Sequence, residues 1–91
     1  MRPLNPRRES FRTARQRPAL MILDWNVPRL NGDEVAAGMR AAFGSAVPIL
    51  VISGDGRAAE HAWSVRAFSC LEKPFAMDEL AIAVWIGLGG P

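Results

Sequence analysis

The feature that most constrains the fold is a run of five aliphatic residues, positions 19–23, that stops at Asp24. Because apolar and polar residues do not alternate, the run predicts a strand buried on both faces, as in parallel sheets. Pro28 and the Asn-Gly pair at 31–32 then indicate a turn into a helix. In open α/β sheets the carboxyl ends of the strands carry the functional residues. Asp24 is therefore a candidate site residue.

The same arrangement occurs twice more along the chain. The apolar run at 47–52 is followed by Ser53, and the run at 68–71 is followed closely by Lys73. If the three strands are parallel neighbours, an acid, a hydroxyl and an amine converge at one edge of the sheet. A carboxylate nucleophile, a hydroxyl donor and an ammonium group together suit phosphoryl transfer.

Helical patterns separate and follow the three runs. Helices are predicted at residues 33–43, 57–67 and 77–88, which carry apolar residues at helical spacing or a high content of alanine. His61 is expected to be a plain surface residue, because the chain has no second histidine and no cysteine pair for a metal. Trp63 is expected to be partly exposed. The predicted fold class is α/β, with three parallel strands and flanking helices.

The last predicted helix has apolar side chains on every side, which normally means burial on every side. Burial in the core is therefore one interpretation of residues 77–88. The alternative is an association surface, in which Ile82, Trp85 and Ile86 contact a partner.

Charge is distributed unevenly along the chain, although the net charge is only +2. Residues 1–18 hold six arginines and one glutamate, whereas the remainder is mildly acidic. We therefore divide the chain into a basic arm or remnant helix at 1–17, with a short helix at 9–16, and a main domain at 18–91. A basic arm can bind nucleic acid, but a solvated arm is the preferred interpretation.

Composition excludes some classes of protein. Cys70 is the single cysteine, so no intrachain disulfide can form, which fits a reducing cytoplasm. No apolar segment follows the N-terminal arginines, and the apolar stretch at 80–88 is shorter than the about 20 residues that span a membrane. The sequence thus predicts a cytoplasmic protein without a membrane segment.

The stretches LDWNVPRLNG, PILVISG and CLEKPF occur in the order and spacing of receiver domains of bacterial two-component response regulators. The chain resembles this family over most of its length, from about residue 10 to residue 88. The resemblance implies a flavodoxin-like receiver fold and a signalling role rather than an enzyme. It also implies that Asp24 is the phosphoacceptor, Ser53 the switch hydroxyl and Lys73 the phosphate-pairing lysine.

The resemblance further implies a cofactor, a partner and a backbone feature. The expected cofactor is Mg²⁺, bound by Asp24 and the backbone carbonyl of Asn26. The expected partner is a sensor histidine kinase or a phosphotransfer protein. The peptide bond between Lys73 and Pro74 is expected to be cis.

The chain also departs from the family pattern. Complete receivers begin with a strand ending in an acidic pair that holds Mg²⁺, then a helix and a second strand. Here Glu9 is the only acid before Asp24, and Asp33 and Asp55 lie at positions that the family does not use as ligands. Cys70 stands where an aromatic residue is usual. The resemblance therefore implies an N-terminally truncated receiver with weak Mg²⁺ binding, impaired phosphorylation and an exposed sheet edge.

Other functions fit part of this pattern. The chain can be a non-phosphorylated interaction module, for example a homodimer formed through its last helix, or the product of a gene fragment. A phosphatase of the haloacid-dehalogenase type also places Asp, Ser or Thr, and Lys at successive strand ends. That family requires a second aspartate two residues after the nucleophile, where this chain has Asn26, and is disfavoured.

Overall fold

A computed structural model describes residues 17–91. The predicted N-terminal arm, apart from Arg17, and the predicted helix at 9–16 lie outside the described residues. Strands and helices alternate in the order β1 (Met21–Asp24), α1 (Gly32–Phe43), β2 (Ile49–Ser53), α2 (Ala58–Val65), β3 (Ser69–Glu72) and α3 (Met77–Gly87). The predicted class, an α/β fold with three parallel strands and flanking helices, is confirmed.

The three strands form one parallel sheet in the order β1-β2-β3. The register pairs Asp24 with Ile52, and Ser53 with Glu72. The last residues of all three strands therefore lie at the same edge of the sheet. Within the described residues, β1 forms one side edge of the sheet and β2 lies in the centre, which is why every residue of β2 is buried.

The core lies between the sheet and the first two helices. Side chains from alternate positions of β1 and β2 pack against the apolar stripes of α1 and α2. The buried members of this cluster are Leu23, Val35, Ala36, Ile49, Val51, Ala62 and Val65. The intervening β2 residues, Leu50 and Ile52, are also buried, and α3 contacts this central strand.

Local backbone chemistry explains where α1 and α2 begin and end. Asn31 caps α1, since its side chain accepts a hydrogen bond from the Glu34 N–H at 3.2 Å. The second helix is shorter than predicted, because Arg66 adopts a left-handed conformation (φ 56°) directly after Val65. The Arg40 guanidinium donates to the carbonyls of Val65 and Arg66 at 3.2 and 3.0 Å, which satisfies acceptors that the helix end leaves free.

Helix α3 corrects the expectation of burial on every side. Ala83 is its buried residue, whereas Ile82, Trp85 and Ile86 are each about half exposed. The helix packs on β2 with one side only. Among the described residues, no other helix covers its remaining sides. At 11 residues it is also too short to span a bilayer, and the same holds for the other helices that the structure describes.

Candidate functional site

Asp24 and Lys73 form the centre of the candidate site. The Lys73 ammonium donates to Asp24 Oδ2 at 2.8 Å, and the Asn26 N–H donates to Oδ1 of the same carboxylate at 3.1 Å. The hydrogen bond from Lys73 is the main reason that the pKa of Asp24 lies below its usual value. Both side chains remain partly open to solvent, so a reagent can reach the carboxylate.

The loops that follow the strands hold this pair in place. The Asn26 side chain accepts a hydrogen bond from the Gly54 N–H, which joins the loop after β1 to the loop after β2. The Lys73 N–H donates to the Ser53 carbonyl at 2.7 Å, which joins the ends of β2 and β3. The peptide bond between Lys73 and Pro74 is cis, in agreement with the expectation from the sequence.

Ser53 lies at the same edge of the sheet, but its hydroxyl does not bond to Asp24 or Lys73. The side chain is fully buried, and the hydroxyl donates to Asp55 Oδ1 at 2.5 Å. The Asp55 N–H in turn donates to the Ser53 hydroxyl oxygen at 3.4 Å. Parallel strand ends therefore bring acid, hydroxyl and amine to one edge, while the hydroxyl is bonded to a residue that sequence reasoning set aside.

His61 is not the plain surface residue that was expected. Its Nε2 lies 2.8 Å from Asp55 Oδ2, and its ring stacks on the indole of Trp25 at 4.4 Å between centroids and 9° between planes. The side chain is only 14 % exposed as a result. The contact joins α2 to the loop after β1, so no local pattern in the sequence could have indicated it.

Glu72 is a second residue whose role was missed. From the end of β3, its carboxylate accepts hydrogen bonds from the N–H groups of Gly56, at 3.0 Å, and Ala58. These bonds cap the N-terminus of α2, which has no capping side chain of its own. The place of Glu72 at the end of a predicted strand indicated a position at the carboxyl edge of the sheet, but not the N–H groups that it meets.

The acids near the site do not make a magnesium centre by themselves. Among residues 17–91, no three acidic, histidine or cysteine side chains lie close enough together to hold a metal ion. Asp24 is paired with Lys73, Asp55 with His61 and Ser53, and Glu72 with backbone N–H groups at the start of α2. Mg²⁺ requires near-octahedral oxygen ligands. The described residues do not meet that requirement by themselves.

An open parallel sheet with an acid–amine pair at its carboxyl edge defines a class of α/β domain that carries its site where the strands end. The family model for the response regulator receiver domain matches residues 8–85. The chain therefore belongs to the response regulator receiver domain family, the signalling domains of two-component systems. This membership also disfavours the haloacid-dehalogenase alternative.

Known proteins show the same relationship. The chain is 39 % identical over 69 residues to response regulator MprA of Mycobacterium leprae, covering 74 % of this chain and 30 % of MprA. It superposes on a receiver protein from Burkholderia phymatum with a TM-score of 0.69 at 35 % identity, covering 84 % of this chain and 60 % of the other.

A third similar structure holds a metal ion. The receiver domain of sensor histidine kinase PA1611 from Pseudomonas aeruginosa PAO1 has a TM-score of 0.73 at 26 % identity, covering 93 % of this chain and 70 % of that one. That structure has a magnesium ion coordinated in its active site cleft. The present chain thus spans less than a third of MprA and about 60 % of the Burkholderia protein.

Proposed function

We propose that this chain is a receiver module of a phosphorelay, in which Asp24 accepts a phosphoryl group from a sensor histidine kinase or a phosphotransfer protein. The observation that supports this most is the 2.8 Å contact between Lys73 and Asp24 at the open carboxyl edge of the sheet. The chain receives and holds the group rather than turning over a substrate, so we do not assign an enzyme activity. The free Cys70 accords with a cytoplasmic location.

The proposed transfer uses groups that the structure brings together. An Asp24 carboxylate oxygen attacks the phosphorus, the bond from phosphorus to the donor atom breaks, and the donor leaves with the electron pair of that bond. Lys73 stays beside the carboxylate and pairs with the negative charge that the phosphoryl group adds. A carboxyl group is ionised at neutral pH, which is the form a nucleophile needs, and the hydrogen bond from Lys73 lowers the pKa of Asp24 further.

We further propose that this transfer is slow in the 91-residue chain. Of the ligands that the family resemblance implies, the chain offers the Asp24 carboxylate and the Asn26 carbonyl, which leaves most positions around Mg²⁺ without a protein ligand. Glu9 is the only acid in residues 1–23. Charge on the phosphoryl oxygens is therefore neutralised mainly by Lys73.

Incubation with acetyl phosphate and Mg²⁺, followed by intact-mass measurement over time, tests both statements. We expect a single phosphate adduct on a minor fraction of the chains and no adduct on Asp24→Asn. Asp78→Asn, which removes an acid in the first turn of α3, is the matched control. It is expected to form the same amount of phosphate adduct as the chain without a substitution.

Three results would contradict the proposal in different ways. Rapid stoichiometric modification would show that the ligands present are sufficient. An adduct that persists in Asp24→Asn would place the phosphoryl group on another residue. A chain that stays unmodified after prolonged incubation would show that Asp24 is not an acceptor in this chain.

The exposed side of α3 favours a second function, self-association. We propose that Ile82, Trp85 and Ile86 form a surface through which two copies of the chain make a homodimer. All three are apolar, about half exposed, and carried within five residues of one helix. Contiguous apolar patches of this kind mark interfaces or aggregation sites.

A further inference from the structure

The Ser53 hydroxyl already donates its proton in a hydrogen bond to Asp55 in the chain without a phosphoryl group. A serine hydroxyl carries one donor proton. Here that proton is directed to Asp55 Oδ1 at 2.5 Å, and both hydrogen bonds of the hydroxyl within the described residues are with Asp55. Since Ser53 is fully buried, water does not compete for the group. Donation to Asp55 and donation to a phosphoryl oxygen therefore exclude each other.

Asp55 is itself fixed by several donors. Besides the Ser53 hydroxyl, it accepts a hydrogen bond from the Arg57 N–H at 2.9 Å and contacts His61 Nε2 at 2.8 Å. Hydrogen bonds from His61 and Ser53 are the main reasons that its pKa lies well below the usual value. The Arg57 guanidinium instead pairs with Glu60 at 2.7 Å. His61 is thus the side chain that meets the second carboxylate oxygen of Asp55.

His61 connects this arrangement to the rest of the domain. It belongs to α2, and its ring is held by the stack on Trp25, the residue directly after Asp24. If Asp55 moves, the His61 ring can keep its contact with the carboxylate only by leaving the stack on Trp25. The orientation of the Ser53 hydroxyl is therefore coupled to the contact between α2 and the loop after β1.

We propose that Asp55 and His61 are positioning residues. Together they hold the Ser53 hydroxyl in a withdrawn orientation, in which it donates to Asp55 and not toward Asp24, until Asp24 is phosphorylated. The inference rests on the proposed function of Asp24. Phosphorylation would offer the hydroxyl a more highly charged acceptor, and Ser53 would leave Asp55 to bond with it. The carboxylate of Asp55 would then lose a donor, and its contact with α2 through His61 would change.

Two measurements on Asp55→Ala test the withdrawn orientation. The first is the χ1 rotamer of Ser53, read by NMR from three-bond couplings to its Hβ protons. We expect a single rotamer in the unmodified chain and averaging over rotamers in Asp55→Ala. The second is the initial rate of Asp24 modification by acetyl phosphate, which we expect to rise about threefold to tenfold, the factor equivalent to one hydrogen bond. This rise is expected to disappear in a Ser53→Ala background.

Two further variants make the test specific. His61→Gln leaves Asp55 in place but removes the stacked ring, so we expect a smaller change in the same direction for both measurements. Glu60→Gln alters an exposed acid of α2 that bonds to Arg57, and is expected to change neither. Circular dichroism confirms that each variant is folded before it is compared.

The outcomes separate this inference from the proposed function. If no variant is phosphorylated, the proposed function fails, while the Ser53 rotamer still reports on the withdrawn orientation. A single Ser53 rotamer that persists in both Asp55→Ala and His61→Gln would overturn the inference. So would an unchanged modification rate in an Asp55→Ala chain that does accept phosphate.

Discussion

Replacing Trp85 by aspartate is expected to weaken self-association of the chain by about tenfold or more. Trp85 is 51 % exposed on α3, between Ile82 and Ile86, so it is the largest apolar side chain of the proposed surface. Burying an aromatic side chain against a second copy contributes strongly to affinity, and a carboxylate at that position would be left without a partner in the interface. Sedimentation equilibrium over a range of concentrations measures the effect.

Trp63→Asp is the matched control for this prediction. Trp63 is 87 % exposed on α2, yet it stands outside the α3 surface, so its replacement is expected to leave association unchanged. A chain that remains monomeric at every concentration would contradict the proposed homodimer. Equal loss of association in the two tryptophan variants would show that α3 is not the contact.

Replacing Leu50 by alanine is expected to lower the free energy of unfolding by about 2–5 kcal/mol. Leu50 is completely buried in the central strand, so its truncation removes buried apolar atoms and leaves a cavity in a closely packed core. Small domains have net stabilities of about 5–15 kcal/mol, so the variant is expected to lose a large share of its stability. Urea denaturation followed by circular dichroism gives the difference.

Ile22→Ala is the control for the core substitution. Ile22 lies on the neighbouring strand β1 but is 47 % exposed, because β1 forms an edge of the sheet that the structure describes. Its truncation is expected to cost about 1 kcal/mol or less. Equal losses in the two variants would contradict the assignment of β2 as the centre of the core.

The parts of the fold that the sequence predicted are those that local patterns determine. Unbroken aliphatic runs identify buried parallel strands, and a polar residue directly after each run identifies the carboxyl edge. Asp24 and Lys73 could be placed together for this reason, although they are 49 positions apart. The boundaries shifted by one or two residues, as at Arg66, where a left-handed backbone ends α2 before its apolar pattern ends.

The features that could not be predicted depend on contacts between distant segments. The stack of His61 on Trp25 joins α2 to the loop after β1, and the cap that Glu72 places on α2 joins that helix to the end of β3. No spacing rule links these positions. Exposure of α3 was also undetermined, because an apolar helix is buried only where neighbouring elements cover it.

Chemical cross-linking of Lys73 to Asp24 tests most directly whether the ends of β1 and β3 form one site. Lys73 is the only lysine in the chain, and its ammonium lies 2.8 Å from the Asp24 carboxylate. A water-soluble carbodiimide joins an amine and a carboxylate that touch, without a spacer and with loss of one water molecule. Digestion and tandem mass spectrometry then identify the linked residues. Lys73→Arg is the control, because it keeps the positive charge but removes the reactive amine.

We expect an amide between Lys73 and Asp24 of the same chain, and no such product from Lys73→Arg. A product in which Lys73 is joined instead to a neighbour in sequence, such as Glu72 or Glu79, would contradict the account. So would a chain that forms no internal link. Either result would mean that the ends of β1 and β3 do not meet at one site.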